Sequence, residues 1–251
     1  MLLCLGAITI LCVIIIYTVR YISKNIDRHS ERINRLLERH CSACPPVFDP
    51  ADFAWTQAFR DGWARVHGEF LRYTETRSAP AYSAINPFQS SCNLNGGWNT
   101  IFLRAFGADT DIVEDFPETM RLVRGAPCTL AFFSILEPGA RLAPHEGVYK
   151  GVIRYHLGLE VPDDRQNCFI EIGGERLHWR EGENLMFDDR FTHHVQNNTD
   201  QRRVILFLDI KRDFNNVFVN LLNTVLLRVI RSNDIVASTV RNANAHHAQL
   251  K

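Results

Sequence analysis

Residues 128–136 read Cys128-Thr129-Leu130-Ala131-Phe132-Phe133-Ser134-Ile135-Leu136, and the turn formers Pro138-Gly139 follow. An apolar run of this length with aromatic and β-branched side chains, closed by a turn, reads as a strand. Four stretches downstream have the same form: Val152–Leu159, Cys168–Ile172, Asn184–Phe187 and Arg203–Ile210. Between them stand Pro162-Asp163-Asp164, Gly173-Gly174, Glu181-Gly182 and Asn197-Asn198. Many short strands without alternating helices predict a mainly β sandwich, barrel or jelly roll and exclude a doubly wound parallel sheet. Gly173-Gly174 reads as a hairpin turn, and no Gly-rich nucleotide loop or internal repeat is visible.

Outside this block the period changes. Phe48, Phe53, Trp55, Phe59, Trp63 and Val66 recur at near-helical spacing between Val47 and about Glu69. A Ser/Asn/Gly-rich loop at Ser90–Gly97 leads into an apolar run, Trp98–Phe106. After the strands, Phe214, Val217, Phe218, Leu221, Leu222, Val225 and Val229 again have helical spacing. Such a helix fits either the outer face of the sheet or a membrane surface. The last 20 residues are polar and are expected to be loose.

At the other end, Leu2–Val19 holds 18 residues without a charge. At about 1.5 Å per residue it reaches roughly 27 Å, close to a hydrocarbon core of about 30 Å. It lacks the basic leader and small-residue cleavage site of a secretory signal. A single-pass transmembrane helix is the expectation. Arg20, Lys24, Arg28, Arg32, Arg35 and Arg39 all follow it, which predicts a cytoplasmic body, with a lumenal one as the alternative. Asp27, Glu31 and Glu38 among them suggest a solvated juxtamembrane helix. Cys41-Ser42-Ala43-Cys44-Pro45-Pro46 then reads as an inert linker and domain boundary. The expected layout is an anchor at 1–22, a stalk at 23–46, a β domain at 47–212 and an amphipathic helix with a polar tail at 213–251. In a cytoplasmic domain the sequon Asn197-Asn198-Thr199 stays unmodified and Cys41 and Cys44 stay reduced.

Composition bounds the function. The 251 residues are 46% apolar and 22% charged, which excludes disordered, collagenous and coiled-coil chains. Twenty-eight basic residues balance 28 acidic ones, so no basic stripe argues for nucleic acid as a partner. Seven cysteines are not the even, dense set of a disulfide-stapled module.

Three stretches carry chemistry: Phe132–Gly139 running on to Pro144-His145-Glu146-Gly147, then Arg154-Tyr155-His156-Leu157-Gly158-Leu159, then Phe187–Val195 with Arg203 beyond. Two imidazoles on facing strands can hold a borderline divalent metal with positions left open. Strand alternation puts Arg154 and His156 on one face. Arg203 lies among residues apolar on both faces, and a buried guanidinium needs an anion. Two arginines and a two-histidine metal site suit 2-oxoglutarate, a dicarboxylate that also chelates. Each residue alone also fits a structural role.

From about Trp98 to Asp209 the chain resembles the aspartyl/asparaginyl β-hydroxylase family of iron(II)- and 2-oxoglutarate-dependent dioxygenases, a group that includes lipid A hydroxylases. The matching text is Phe116-Pro117-Glu118-Thr119, Phe133-Ser134-Ile135, Pro138-Gly139, Pro144-His145-x-Gly147, Arg154-x-His156-Leu157-Gly158-Leu159, Phe187-Asp188-Asp189 and His193-x-Val195. The resemblance implies a double-stranded β-helix with flanking helices. It implies Fe(II) as cofactor, with 2-oxoglutarate and O2 as co-substrates. His145 and His193 would be the iron ligands, without a carboxylate ligand; Glu146 is one residue out of register for that role. Arg154 and His156 resemble the residues that hold the metal-proximal carboxylate, and Arg203 and Ser134 those that hold the distal one. His194 is expected on the opposite face. The implied substrate is an aspartyl or asparaginyl residue of a protein, slightly ahead of a lipid acyl chain. A catalytically silent binding domain and an oxidative halogenase are the rival readings.

Overall fold

The computed structural model describes residues 26–41, 44–86 and 92–248. The expected anchor at 1–22 lies outside the described residues. Among those described, no helix is long and apolar enough to cross a membrane.

Eleven strands and six helices are described, numbered in chain order: α1 (Ile26–Glu38), β1 (Val47–Phe48), α2 (Thr56–Thr74), α3 (Tyr82–Ile85), β2 (Trp98–Ala105), β3 (Ala108–Asp109), α4 (Pro117–Gly125), β4 (Cys128–Leu136), β5 (Arg141–His145), β6 (Val152–Glu160), β7 (Cys168–Ile172), β8 (Glu175–Leu177), β9 (Asn184–Phe187), β10 (His193–Asn197), β11 (Arg203–Lys211), α5 (Val217–Arg231) and α6 (Asp234–Ala248). One sheet has the order β1-β9-β6-β11-β4-β2-β3 and the other β5-β10-β7-β8. From β4 to β11 the chain crosses back and forth between the two antiparallel sheets, which is the winding of a double-stranded β-helix. Gly173 and Gly174 both have positive φ, 57° and 88°, and close the β7–β8 hairpin. Two central residues at positive φ match the right-handed twist of the strands they join.

The pleat sorts side chains into two cores. Ile205, Phe207, Phe132, Leu185 and Phe187 face the smaller sheet's Ile170, Ile172 and Val195. Val204, Leu206, Leu208, Phe133 and Tyr155 face outward and are covered by Phe59, Val66 and Phe70 of α2 and by Met120 and Val123 of α4. The start of α4 is capped across the fold: buried Glu69 accepts from the backbone N–H groups of Glu118 (2.8 Å) and Thr119 (2.9 Å), and from the Thr119 hydroxyl (2.7 Å). A carboxylate at a helix N-terminus satisfies orphan donors and complements the dipole. With Pro117 in the first turn, Phe116-Pro117-Glu118-Thr119 therefore does structural work here.

Four expectations need correction, and one intended reporter of topology proves unsuitable. The helix expected from Val47 begins only at Thr56; Val47 and Phe48 pair with Phe187 and Met186 as strand β1, because Asp49-Pro50 turns the chain. The juxtamembrane helix is not solvated all round: Asn34 and Leu37 of α1 are buried against the domain. The linker is likewise docked, its Pro46 carbonyl accepting from the Asp188 N–H at 3.0 Å. The tail is not loose but forms α6, which buries Val236, Thr239, Ala243 and His247. His247 Nδ1 meets the Tyr73 hydroxyl, and Asn242 donates to the Ile85 carbonyl at 3.2 Å. Lastly, Asn197 makes a poor topology reporter. It is buried, and its amide nitrogen is within 3.2 Å of the carbonyls of Leu136, Glu137 and Gln201. Cys41 and Cys44 are free thiols; burial, then a hydrogen bond to Cys41, pushes Cys44 up to about 11.

Candidate active site

β5 and β10 are neighbours in the smaller sheet, and His145 pairs with His193 across them. Their ring centroids lie 4.2 Å apart. Each ring hands its Nδ1–H to a nearby backbone carbonyl, His145 to Ala143 (2.7 Å) and His193 to Phe191 (2.9 Å). A carbonyl only accepts, so the proton is on Nδ1 and the Nε2 lone pair is left for another partner. This is the tautomer of a metal-binding imidazole oriented from behind. Burial, then the neighbouring positive groups, holds His193 down to about 3, and burial lowers His145 as well. Among the described residues no third His, Cys, Asp or Glu joins them. Glu146 is exposed and accepts from the Thr192 hydroxyl at 2.8 Å, and His194 stacks edge-on against Phe169 on the outer face.

Deeper between the sheets, around Arg203 and His156, the unpartnered ring and guanidinium nitrogens are donors, while Asp189 Oδ1 beside Arg154 is an unpartnered acceptor. His156 is buried, and Trp179 donates its indole N–H to His156 Nδ1 at 3.2 Å. The proton of this neutral ring is therefore on Nε2, which has no partner. Arg203 is 2% exposed. Its Nη1 is 3.4 Å from both the hydroxyl and the carbonyl of Ser134, its Nε has no partner, and its plane lies 4.6 Å from the Trp179 ring centre. Burial lowers its pKa to about 10, and no carboxylate among the described residues pairs with it. Ser134 accepts from Trp98 Nε1 at 3.0 Å, so its own proton can be offered elsewhere.

Arg154 is bound differently. It lies 2.9 Å from Asp189 and 3.2 Å from Asp209, with Phe207 under its plane at 4.6 Å. Next to Asp189, Asp188 takes Lys150 (2.6 Å) and Arg212 (2.8 Å). Desolvation raises Asp189 to about 6 even though Arg154 opposes the rise. Gly147 passes so close that a Cβ there would collide with the Asp189 carboxylate, and its N–H donates to the Asp189 carbonyl at 2.6 Å.

Residues 60–213 match the sequence profile of the Aspartyl/Asparaginyl beta-hydroxylase family. The chain belongs to that family. An ornithine lipid ester-linked acyl 2-hydroxylase of Rhizobium tropici is 36% identical over 168 residues, covering 66% of this chain and 60% of that protein. The human aspartyl/asparaginyl beta-hydroxylase is 36% identical over 179 residues, which is 66% of this chain but 22% of the human one. An aspartate beta-hydroxylase domain-containing protein 2 of Xenopus tropicalis is 31% identical over 187 residues, 50% of its length. The chain thus spans less than two thirds of each of these relatives.

Within this hydroxylase fold all six expected residues, Ser134, His145, Arg154, His156, His193 and Arg203, lie on strands whose side chains meet between the sheets. What sequence reasoning left without a role is the set around them: Trp179, Trp98, Asp189, Asp209 and Gly147. Asp209 carried a signal, as an acid inside an otherwise apolar strand. Trp179 carried none.

Proposed function

We propose that this chain is a hydroxylase dependent on Fe(II) and 2-oxoglutarate that acts on an acyl chain of a membrane lipid. The observation that carries the co-substrate is Arg203, a buried guanidinium with no acid among the described residues to meet it. Beside it stand the Ser134 hydroxyl and the unpartnered His156 Nε2–H. Three donors converging with no carboxylate on Arg203 suit the carboxylate of a ligand. Arg203 and Ser134 would hold the distal carboxylate. His156 and Arg154 would hold the proximal one, Arg154 aimed from behind by Asp189 and Asp209. The lone pairs on Nε2 of His145 and His193 fit Fe(II), a borderline ion well served by imidazole. Bound iron would couple oxidation of a C–H bond by O2 to decarboxylation of 2-oxoglutarate, giving an alcohol, succinate and CO2 with one oxygen atom in each organic product. Phe132, Phe187 and Phe207 line the same interior and keep water from the reacting centre.

The sequence motifs put a protein side chain slightly ahead as substrate. An exposed apolar group beside the site moves the weight to lipid, the substrate class of the ornithine lipid relative. Val148, three residues beyond His145, is 65% exposed and gives the site an apolar rim. The protein reading stays as the second one, because the human relative is equally identical. Turnover of 2-oxoglutarate by the full chain with Fe(II), compared between acyl lipids and Asp- or Asn-bearing peptides, decides between them. A lipid product heavier by one oxygen atom is expected; an oxidised peptide with untouched lipid would replace the substrate. Residues 1–22 as anchor and a cytoplasmic 47–212 domain belong to this reading. Labelling of a cysteine placed at exposed Arg180 in intact against opened cells tests the orientation.

A further inference from the structure

The start of α5 exposes what a surface helix normally hides. Val217 is 81% exposed, Phe218 82% and Leu221 61%. They cannot turn inward by rotating the helix. Asn216 caps it, accepting from the N–H groups of Phe218 (2.9 Å) and Val219 (3.2 Å). Asn220 exchanges two hydrogen bonds with the Phe214 backbone, at 2.7 and 2.8 Å. Val219 is thereby held inside and Phe218 outside.

Val148 is tied to the same place. Its carbonyl accepts from Asn34 of α1 at 3.0 Å, and the next residue, Tyr149, donates its hydroxyl to Asn223 of α5 at 2.6 Å. The loop leaving His145 is therefore stapled between α1 and α5 with the Val148 side chain outward. α1 turns Ile33 and Leu37 onto Phe214 and Val219. Its opposite side carries Arg32, Arg35 and, one residue past the helix, Arg39 around Leu36, all exposed, with exposed Glu31 and Glu38 along one edge. Scattered apolar side chains on a surface need no explanation, but three within two turns of one helix, packed on a second helix that carries exposed arginines, do. Exposed apolar residues next to arginines suit the boundary between anionic headgroups and acyl chains. The uncharged run Leu2–Val19 ends only six residues before α1 begins.

We propose that the first turns of α5, Val148 and the arginine face of α1 form one surface that lies in an anionic lipid interface. It would bring the rim of the His145/His193 site to the bilayer, and it stands whether the substrate is lipid or protein.

The test uses the full chain in vesicles of phosphatidylcholine with or without phosphatidylglycerol, brominated on their acyl chains. Phe218→Trp is compared with the parent, whose tryptophans are Trp55, Trp63, Trp98 and Trp179. The added emission should be blue-shifted and quenched by bromine when phosphatidylglycerol is present. Arg32→Glu, Arg35→Glu and Arg39→Glu together should weaken that quenching. Added emission that ignores bromine but is open to acrylamide overturns the proposal. Emission shielded from both, with cross-links from this face to a second chain or to residues 1–25, overturns it too and assigns the face to that occupant. The readout is insertion, not turnover, so a failed substrate assignment leaves the result intact.

Discussion

Trp179 fixes the tautomer of His156. By donating to Nδ1 at 3.2 Å it forces the imidazole proton onto Nε2, where a buried donor waits without a partner. Trp179→Phe keeps most of the ring that Arg203 stacks on and removes only the N–H. One neutral hydrogen bond contributes about 1 kcal/mol, so the 2-oxoglutarate Michaelis constant should rise roughly fivefold. Steady-state kinetics at varied 2-oxoglutarate would read this, and an unchanged constant would remove His156 from the co-substrate's contacts.

Arg203 separates holding co-substrate from holding the sheet. Losing one partner of a buried charged pair costs about 3 kcal/mol or more, so Arg203→Ala should weaken 2-oxoglutarate use by roughly a hundredfold. Arg203→Lys should recover part of it, because an ammonium lacks the planar fork. Ser134→Ala should lose about fivefold, as one neutral bond. Arg203→Met, which keeps the volume, should leave Tm without 2-oxoglutarate unchanged or higher, since a buried cation with no acid partner is removed. Addition of 2-oxoglutarate should then no longer raise Tm. A large fall in Tm with an unchanged Michaelis constant would sink the assignment.

His145→Ala and His193→Ala should each abolish turnover and Fe(II) retention while leaving circular dichroism unchanged. His194→Ala, on the outer face beside Phe169, should do neither. Full activity in His193→Ala would overturn the choice of ligand.

Gly147→Ala tests the close approach behind Arg154. The added methyl would strike the Asp189 carboxylate, and overpacking of this kind typically costs about 1–3 kcal/mol. At roughly 2–4 °C per kcal/mol for a domain of this size, Tm should fall by several degrees. Because His145 stands two residues earlier, Fe(II) retention should fall with it. A variant of normal Tm and metal content would show that the loop yields freely.

Acid should release the C-terminal helix. Burial lowers His247 from 6.5 to about 4, where its Nδ1 meets the Tyr73 hydroxyl. Above 6.5 the ring is neutral docked or undocked and nothing is lost. As pH falls from 6.5 toward about 4 the undocked ring takes a proton that the docked one refuses, so docking weakens through that window. Amide exchange across 234–248 should speed up there, and His247→Gln should flatten the effect.

The β winding is legible because each strand is an apolar run closed by turn formers, and periodicity is a local property. That Arg154 shares a face with His156 is legible for the same reason. Its partners are not: Asp189 and Asp209 come from β-helix turns 35 and 55 residues away, and nothing local announces the meeting. α6 escaped because its apolar stripe is thin, Val236 and Ala243 amid serines, asparagines and histidines, and its fit depends on Tyr73 and Ile85 far upstream. α1 was expected as a helix, but its docking escaped because its interleaved charges mask the Ile33–Leu37 stripe.

β11 has one more consequence. Ile205 and Phe207 on one side and Val204, Leu206 and Leu208 on the other are all apolar and all buried. Hydrophobicity alone therefore cannot tell this strand which way round to sit, and a slip by one residue would exchange two equally greasy faces. The charged residues at its ends break the tie. In a slipped alignment Arg203 and Asp209 would point under α2 and α4, away from Ser134 and Arg154, among Phe59, Val66, Phe70, Met120 and Val123. The groups assigned to a ligand thus also act during folding, as the marks by which the central strand finds its alignment.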